Sequence, residues 1–139
     1  MMMRYLRIGV VPLVIAEMLA TGCVEPPKPL PELGQVQGMV KFDGEPLKNA
    51  VVHFIPGDGR ESIGLIGEDG TFKMNYAPKV PGAEIGKHKV VIKTHYKDEA
   101  SPEAMFGTEK IPKQYNSETT LTANVKPGRN FVNFELSSK

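Results

Sequence analysis

The chain has 139 residues, of which 40% are hydrophobic and 24% charged, which is enough for one ordinary globular domain and too short for two. Its 17 basic and 16 acidic side chains give a formal net charge of +1, so no field of one sign would steer it toward nucleic acid. Fourteen glycines and twelve prolines predict frequent turns rather than long helices, and the lack of tryptophan argues against a large aromatic recognition surface.

The N-terminus has the parts of an export signal. Arg4 and Arg7 precede an apolar run at residues 8–16, which is too short to span a bilayer as a helix. Small residues follow, directly before Cys23, the only cysteine of the chain. We therefore predict that residues 1–22 are a signal peptide that is removed after export.

The stretch "LATGC" at residues 19–23 resembles the lipobox of bacterial lipoproteins, in which the cysteine thiol receives a diacylglycerol before cleavage. The resemblance implies a lipidated Cys23 at the mature N-terminus. It further implies a protein of the cell envelope, anchored in a membrane and facing the periplasm or the exterior. The alternative is a plain secretory signal with an incidental cysteine, which would leave a free thiol in an exported protein.

Residues 23–33 are rich in proline, with four prolines in the ten positions from residue 24. This composition favours extended polyproline II structure and opposes helix and sheet pairing. We predict a semi-rigid tether that would hold the domain up to roughly 30 Å from the lipid surface. A disordered tail without a role has the same composition.

From residue 34 onward, apolar and polar residues alternate with the period of a half-buried strand. Turn residues such as Asp43-Gly44 and Asp69-Gly70 separate the alternating segments. Short strands at spacings near ten residues predict an all-β fold for residues 34–139, a seven-stranded antiparallel Greek-key β-sandwich. The seven predicted strands are residues 34–42, 50–55, 62–66, 71–74, 87–94, 121–125 and 132–136.

Four quoted stretches together resemble the small transthyretin-like or carboxypeptidase-regulatory-like lipoproteins of planctomycete bacteria. They are "VQGMVKFDGEPLKNAVVHFIP", "GEDGTFKM", "PGAEIGKHKVVI" and "IPKQYNSETTLTANVKPGRNFVNFEL". The resemblance implies a transthyretin-like (prealbumin-like) scaffold. Every matched position is a turn residue or an inward apolar side chain, so the resemblance implies an accessory or adhesion-like module and no particular reaction.

The three histidines are the first candidates for chemistry, since three imidazoles can hold zinc. His53 and His88 lie on predicted strands, where the alternation places His53 outward and His88 inward, and His95 follows the second of these strands. Because these side chains would not converge, we predict no metal site and no cofactor.

Turn carboxylates and serines are the remaining candidates. The acidic side chains lack the alternating oxygen ligands of a dedicated calcium loop, and the serines lack a nucleophile elbow, so we predict no catalytic residue. The alternatives left open are a hydrolase that uses a histidine with turn carboxylates, and a carbohydrate-binding module that uses tyrosines. The residues weighed were Asp58, Glu68, Asp69, Ser62, Ser101, Ser117, Tyr76 and Tyr96.

The long irregular connection at residues 96–119 supplies the candidate partner contacts. Met105 and Phe106 form an apolar pair within it, and Tyr115 lies at a loop corner, where its ring can pack and its hydroxyl can hydrogen-bond. The sequence thus predicts an exported, lipid-anchored, non-enzymatic module of the cell envelope. Its partners would be the membrane, through the lipid, and an envelope protein or glycan.

Overall fold

A computed structural model describes residues 22–98 and 100–139, with the backbone alone described at Glu103 and Phe106. The predicted signal peptide lies outside these residues except for its last position. Residues 22–32 contain no strand and no helix, and nearly all of them are exposed. Within the described ranges, no helix is long and apolar enough to cross a bilayer.

The architecture is an all-β sandwich of two sheets with almost no helix. The described residues form twelve strands, several of them only two or three residues long, where the sequence predicted seven. In chain order the elements are β1 (Leu33–Phe42), β2 (Glu45–Pro46), β3 (Ala50–Pro56), β4 (Ser62–Leu65), β5 (Thr71–Lys73), β6 (Asn75–Ala77), β7 (Val80–Pro81), β8 (Ala83–Glu84), β9 (Gly86–Thr94), α1 (Pro102–Phe106), a 3₁₀ turn (Lys113–Tyr115), β10 (Thr122–Val125), β11 (Arg129–Phe131) and β12 (Phe134–Leu136).

The first sheet is organised around β1, which pairs with five short strands. Gln37 pairs with Lys73 of β5 and also with Phe131 of β11, so β5 and β11 lie on opposite sides of β1. The pairings with β2, β5 and β8 are antiparallel, whereas those with β11 and β12 are parallel. The parallel pairs differ from the predicted antiparallel arrangement. The turn before β11 contacts the start of β1, where the Gln35 N–H donates to the Gly128 carbonyl at 2.8 Å.

A break at residues 132–133 separates β11 from β12, so the last predicted strand, residues 132–136, is observed only as Phe134–Leu136. At this point the Val132 carbonyl approaches Gly38 so closely that a Cβ on Gly38 would lie 1.7 Å from its oxygen. The Val132 N–H donates to the Gln37 carbonyl, and Asn133 Oδ1 accepts the Met39 N–H at 3.0 Å. A side-chain amide thus replaces one backbone acceptor of the ladder, which keeps β1 hydrogen-bonded across the break.

The second sheet has the strand order β10-β9-β3-β4-β6-β7 and is antiparallel throughout. Phe54 of β3 is fully buried and lies opposite Val90 on one side and Ser62 on the other. Its ring contacts those of Phe134, from the first sheet, and His88 at centroid distances of 6.4 and 5.6 Å. The core therefore lies between the two sheets, as the alternation of the strands predicted.

The connection from β9 to β10 lies against the sandwich through its second half. Ile111 is buried in the core, and Tyr115 packs against the same cluster. The Tyr115 hydroxyl accepts the backbone N–H of Ser137 at 2.9 Å, which fixes the chain after β12.

Candidate functional site

A large open groove runs along the outer face of β4, with a volume of about 990 Å³. On β4 the inward positions are the small residues Ser62 and Gly64, and the outward positions are Ile63 and Leu65. These two apolar side chains are 40% and 59% exposed, respectively. The strand therefore presents its only large apolar side chains to solvent, the reverse of the usual alternation.

The groove opens because the chain leaves the second sheet between β4 and β6. It crosses to the first sheet to form β5 and then returns, so that β6 pairs with β4 at one position, Ile63 with Asn75. Thr71, Phe72 and Lys73 of β5 line the groove beside β4. The apolar surface of β4 is thus left without a covering strand or loop among the described residues.

One end of the groove is formed by an arginine stacked on a tyrosine. The guanidinium carbon of Arg60 lies 5.8 Å from the centre of the Tyr76 ring, within the range of a cation–π contact. The chain then turns between β6 and β7 through Pro78 and Lys79, and both residues line the groove. Lys79 has a φ of 63°, a left-handed conformation that favours glycine.

The charges around the groove are unbalanced. Arg60, Lys73 and Lys79 line it, and within the described residues none of the three is in an ion pair. Glu61 is the acidic residue of the lining, and its carboxylate lies 3.2 Å from Nδ1 of His53. The lining thus carries an excess of positive charge on a chain that is almost neutral.

The three histidines are not brought together. His53 lies on the outer face of β3, whereas His88 is 1% exposed and its Nε2 lies 2.7 Å from the Glu84 carbonyl oxygen. His95 lines a separate, smaller pocket beside Tyr96. The outward and inward placement of the two strand histidines agrees with the sequence prediction. Over residues 22–98 and 100–139, no group of three or more His, Cys, Asp or Glu side chains could hold a metal ion.

Two of the turn carboxylates have structural partners. Asp69 Oδ1 accepts hydrogen bonds from the Thr71 hydroxyl at 2.6 Å and from the Thr71 N–H at 3.0 Å, and these bonds lower the pKa of the Asp69 carboxyl. Glu68 lies 3.6 Å from the Lys97 ammonium on an exposed surface. Asp58 is exposed in the turn after β3.

The three serines are dispersed. Ser62 is fully buried between the sheets, and its hydroxyl has no hydrogen-bond partner among the described residues. The Ser101 hydroxyl accepts the Ala104 N–H at the start of α1, and Ser117 is exposed. This arrangement does not bring a serine and a histidine into hydrogen-bond contact.

The predicted partner contacts lie elsewhere on the molecule. Met105 is 65% exposed on α1, the side chain of Phe106 lies outside the described residues, and Tyr115 is half-buried. Cys23 is exposed at the start of the tether.

The groove itself was missed by the sequence reasoning, which treated residues 62–66 as an ordinary short strand. A signal was present in the printed sequence. Large apolar residues alternate there with serine and glycine, and the small residues can pack inward only if the apolar ones face out.

Comparison with known proteins finds a distant structural similarity. No family model matches the chain, and no curated protein matches it. Among solved structures, the chain is similar to a crystal structure of a DUF3823 family protein from Parabacteroides merdae, with 18% identity and a TM-score of 0.41. The similarity covers 76% of this chain and 46% of that chain, so the chain spans less than half the length of that structure. At this level the similarity assigns no function.

Proposed function

We propose that this chain is an exported, lipid-anchored, non-enzymatic β-sandwich module of the cell envelope that binds an exported partner through the β4 groove. The observation that carries the proposal is the exposure of Ile63 and Leu65 side by side on the floor of that groove. Exposed apolar side chains in a concave surface with a polar rim are typical of interaction sites.

The family proposed is that of the transthyretin-like or carboxypeptidase-regulatory-like lipoproteins of planctomycete bacteria, with Greek-key connections between the sheets. The motif order described above supports the family. Greek-key connectivity is supported by the pairing of β3 with both β4 and β9, since β9 follows β4 only after the chain has crossed between the sheets several times.

A binding role is favoured over hydrolysis by the burial of two of the polar groups weighed for a hydrolase. Ser62 and His88 are 0% and 1% exposed, so a substrate has no access to either side chain. Both lie beneath the sheets rather than in the groove. A carbohydrate-binding module needs an open aromatic platform, whereas the ring of Tyr76 has the Arg60 guanidinium over one face.

The lipid anchor is tested by the substitution Cys23→Ser. The proposal expects the wild-type protein in the membrane fraction and the variant in the soluble exported fraction, because the serine cannot receive the thioether-linked lipid. Val24→Ser is the matched control, since it places a serine at the neighbouring position and keeps the thiol. Wild-type protein that is already soluble after export would contradict the anchor.

The groove is tested by site-specific photocrosslinking in cells that produce the protein natively. A photoreactive residue at Leu65 should give a discrete adduct with an exported partner, and the same residue at Lys93, which is exposed on β9 of the same sheet, should not. Equal labelling at both positions, or no adduct at Leu65, would contradict a binding site in the groove.

A further inference from the structure

We propose that the partner segment bound in the β4 groove is an extended, acidic polypeptide with apolar side chains at alternate positions. This inference rests on the proposed function and narrows it to one chemical class of partner. Three features of the groove carry it: the spacing of the apolar pair, the unpaired cations, and the backbone conformation of Lys79.

The apolar pair has the spacing of an extended chain. Ile63 and Leu65 are two residues apart on one face of a strand, so their side chains are spaced about 6.4–6.8 Å apart along it. Alternate side chains of a bound extended peptide repeat at the same distance. Such a peptide can therefore place two successive apolar side chains on Ile63 and Leu65 and direct the intervening ones to the rim.

The cations flank this apolar floor. Arg60 and Lys79 lie at the end formed by Tyr76, and Lys73 lies beside β4, where its carbonyl oxygen would be 3.1 Å from a Cβ placed on Gly64. Carboxylates on the rim-facing positions of the peptide would meet these cations. Because no described carboxylate pairs with them, an acidic segment gains these contacts without breaking existing ion pairs.

Lys79 provides independent support, because it occupies a backbone conformation that disfavours lysine. The tight turn from Ala77 to Val80 has Pro78 second and Lys79 third, and the third residue has a φ of 63°. Glycine or asparagine fits such a position without the strain that lysine incurs. Strain of this kind concentrates at binding sites, and here it places an ammonium group at the mouth of the groove.

The apolar floor favours a polypeptide over an acidic glycan. A uronic acid chain would satisfy the cations and leave the branched side chains of Ile63 and Leu65 without apolar contacts. The lining has one tyrosine ring, and the Arg60 guanidinium lies over one of its faces, which leaves little aromatic surface for a sugar ring.

The test measures binding of three fluorescein-labelled probes to the full chain in detergent, by fluorescence anisotropy. The first probe is an acetylated seven-residue peptide of alternating glutamate and valine, the second has lysine in place of glutamate, and the third is an oligogalacturonate of matched charge. The acidic peptide should bind at least about tenfold more tightly than the other two, and its affinity should fall as salt rises.

Variants assign the binding to the groove. Lys79→Glu should weaken the acidic peptide by about tenfold and strengthen the basic one. Lys79→Gly removes the charge at a position that suits glycine, so it should weaken the acidic peptide while thermal stability is kept or raised. Lys89→Glu, on an exposed site of β9 outside the groove lining, is the matched control and should change neither affinity nor stability.

Several outcomes would overturn the inference. Equal binding of both peptides would mean that the cations do not select the partner, and tighter binding of oligogalacturonate would make the partner an acidic glycan. If Lys79→Gly binds the acidic peptide as tightly as wild type does, Lys79 is not part of the binding site. If the acidic peptide fails while the Leu65 crosslink forms, only this inference fails. If both fail, the proposed function fails with it.

Discussion

The approach of Val132 to Gly38 leads to a sharp prediction about the first sheet. In Gly38→Ala, the new Cβ would lie 1.7 Å from the Val132 oxygen and 2.6 Å from its carbonyl carbon, and both are backbone atoms. Observed Cβ contacts essentially never fall below 3.0 Å, so the chain between β11 and β12 must move by about 1.3 Å.

The energetic cost follows from what that movement breaks. The Val132 N–H donates to the Gln37 carbonyl at 2.9 Å, and the Met39 N–H donates to Asn133 Oδ1 at 3.0 Å. Each bond contributes about 0.5–1.5 kcal/mol, and groups left unsatisfied in a partly buried place cost more. We therefore expect Gly38→Ala to lose about 2–4 kcal/mol of unfolding free energy, measured by urea unfolding followed by circular dichroism.

The matched control is Gly57→Ala, because a Cβ at Gly57 meets no atom within 4 Å and its φ is not in the left-handed region. It should leave the unfolding free energy within about 0.5 kcal/mol of wild type, or raise it slightly by restricting the unfolded chain. If Gly38→Ala costs less than about 1 kcal/mol, the close approach of Val132 is wrong, and with it the account of the break between β11 and β12.

Two further predictions concern individual side-chain hydrogen bonds. The bonds from Thr71 hold the pKa of Asp69 below its usual value of 3.8, so the ionised carboxylate stabilises the fold above that pH, and the contribution is lost as pH falls through the folded pKa. Urea unfolding should therefore show Asp69→Asn less stable than wild type at pH 7, with the difference shrinking as the pH falls below 3.8. A difference that does not shrink as the pH falls, or an equal loss in Glu68→Gln, would contradict this. Tyr115→Phe removes the acceptor of the Ser137 N–H and should cost about 1 kcal/mol in the same assay, and an unchanged midpoint would mean that the contact does not hold the chain end.

The strands and their inner faces could be predicted from the sequence because burial on one face imposes a period of two. Ala50, Val52 and Phe54 share one face of β3, as this period requires, and all three are buried. The same reasoning placed His88 inward and His53 outward. In each case the signal lies within a few neighbouring residues, so it does not depend on how the strands pair.

The parallel pairs of the first sheet could not be predicted in this way, because they depend on contacts between residues about 95 positions apart. The side-chain amide of Asn130 donates to the carbonyls of Gln35 and Lys126, and Asn133 accepts the N–H of Met39. In the sequence, asparagine at such positions predicts only an ordinary turn or surface residue. Its role is visible only once β1 and the last strands lie side by side.

The outward position of Ile63 and Leu65 is a consequence of the core rather than a defect of it. A Cβ on Gly64 would lie 2.7 Å from Met74 Sδ, so the space beneath β4 is already filled. A shift of one residue would drive both large side chains into Met74, and the register is therefore fixed with them outside. Since Ile63 and Leu65 contribute little to the core, the double variant Ile63→Thr, Leu65→Thr should lose less than about 1 kcal/mol of unfolding free energy. The same variant should abolish the contacts between the partner and this part of the groove. A loss of several kcal/mol would mean that the pair stabilises the fold, and its exposure would then give no support to a binding groove.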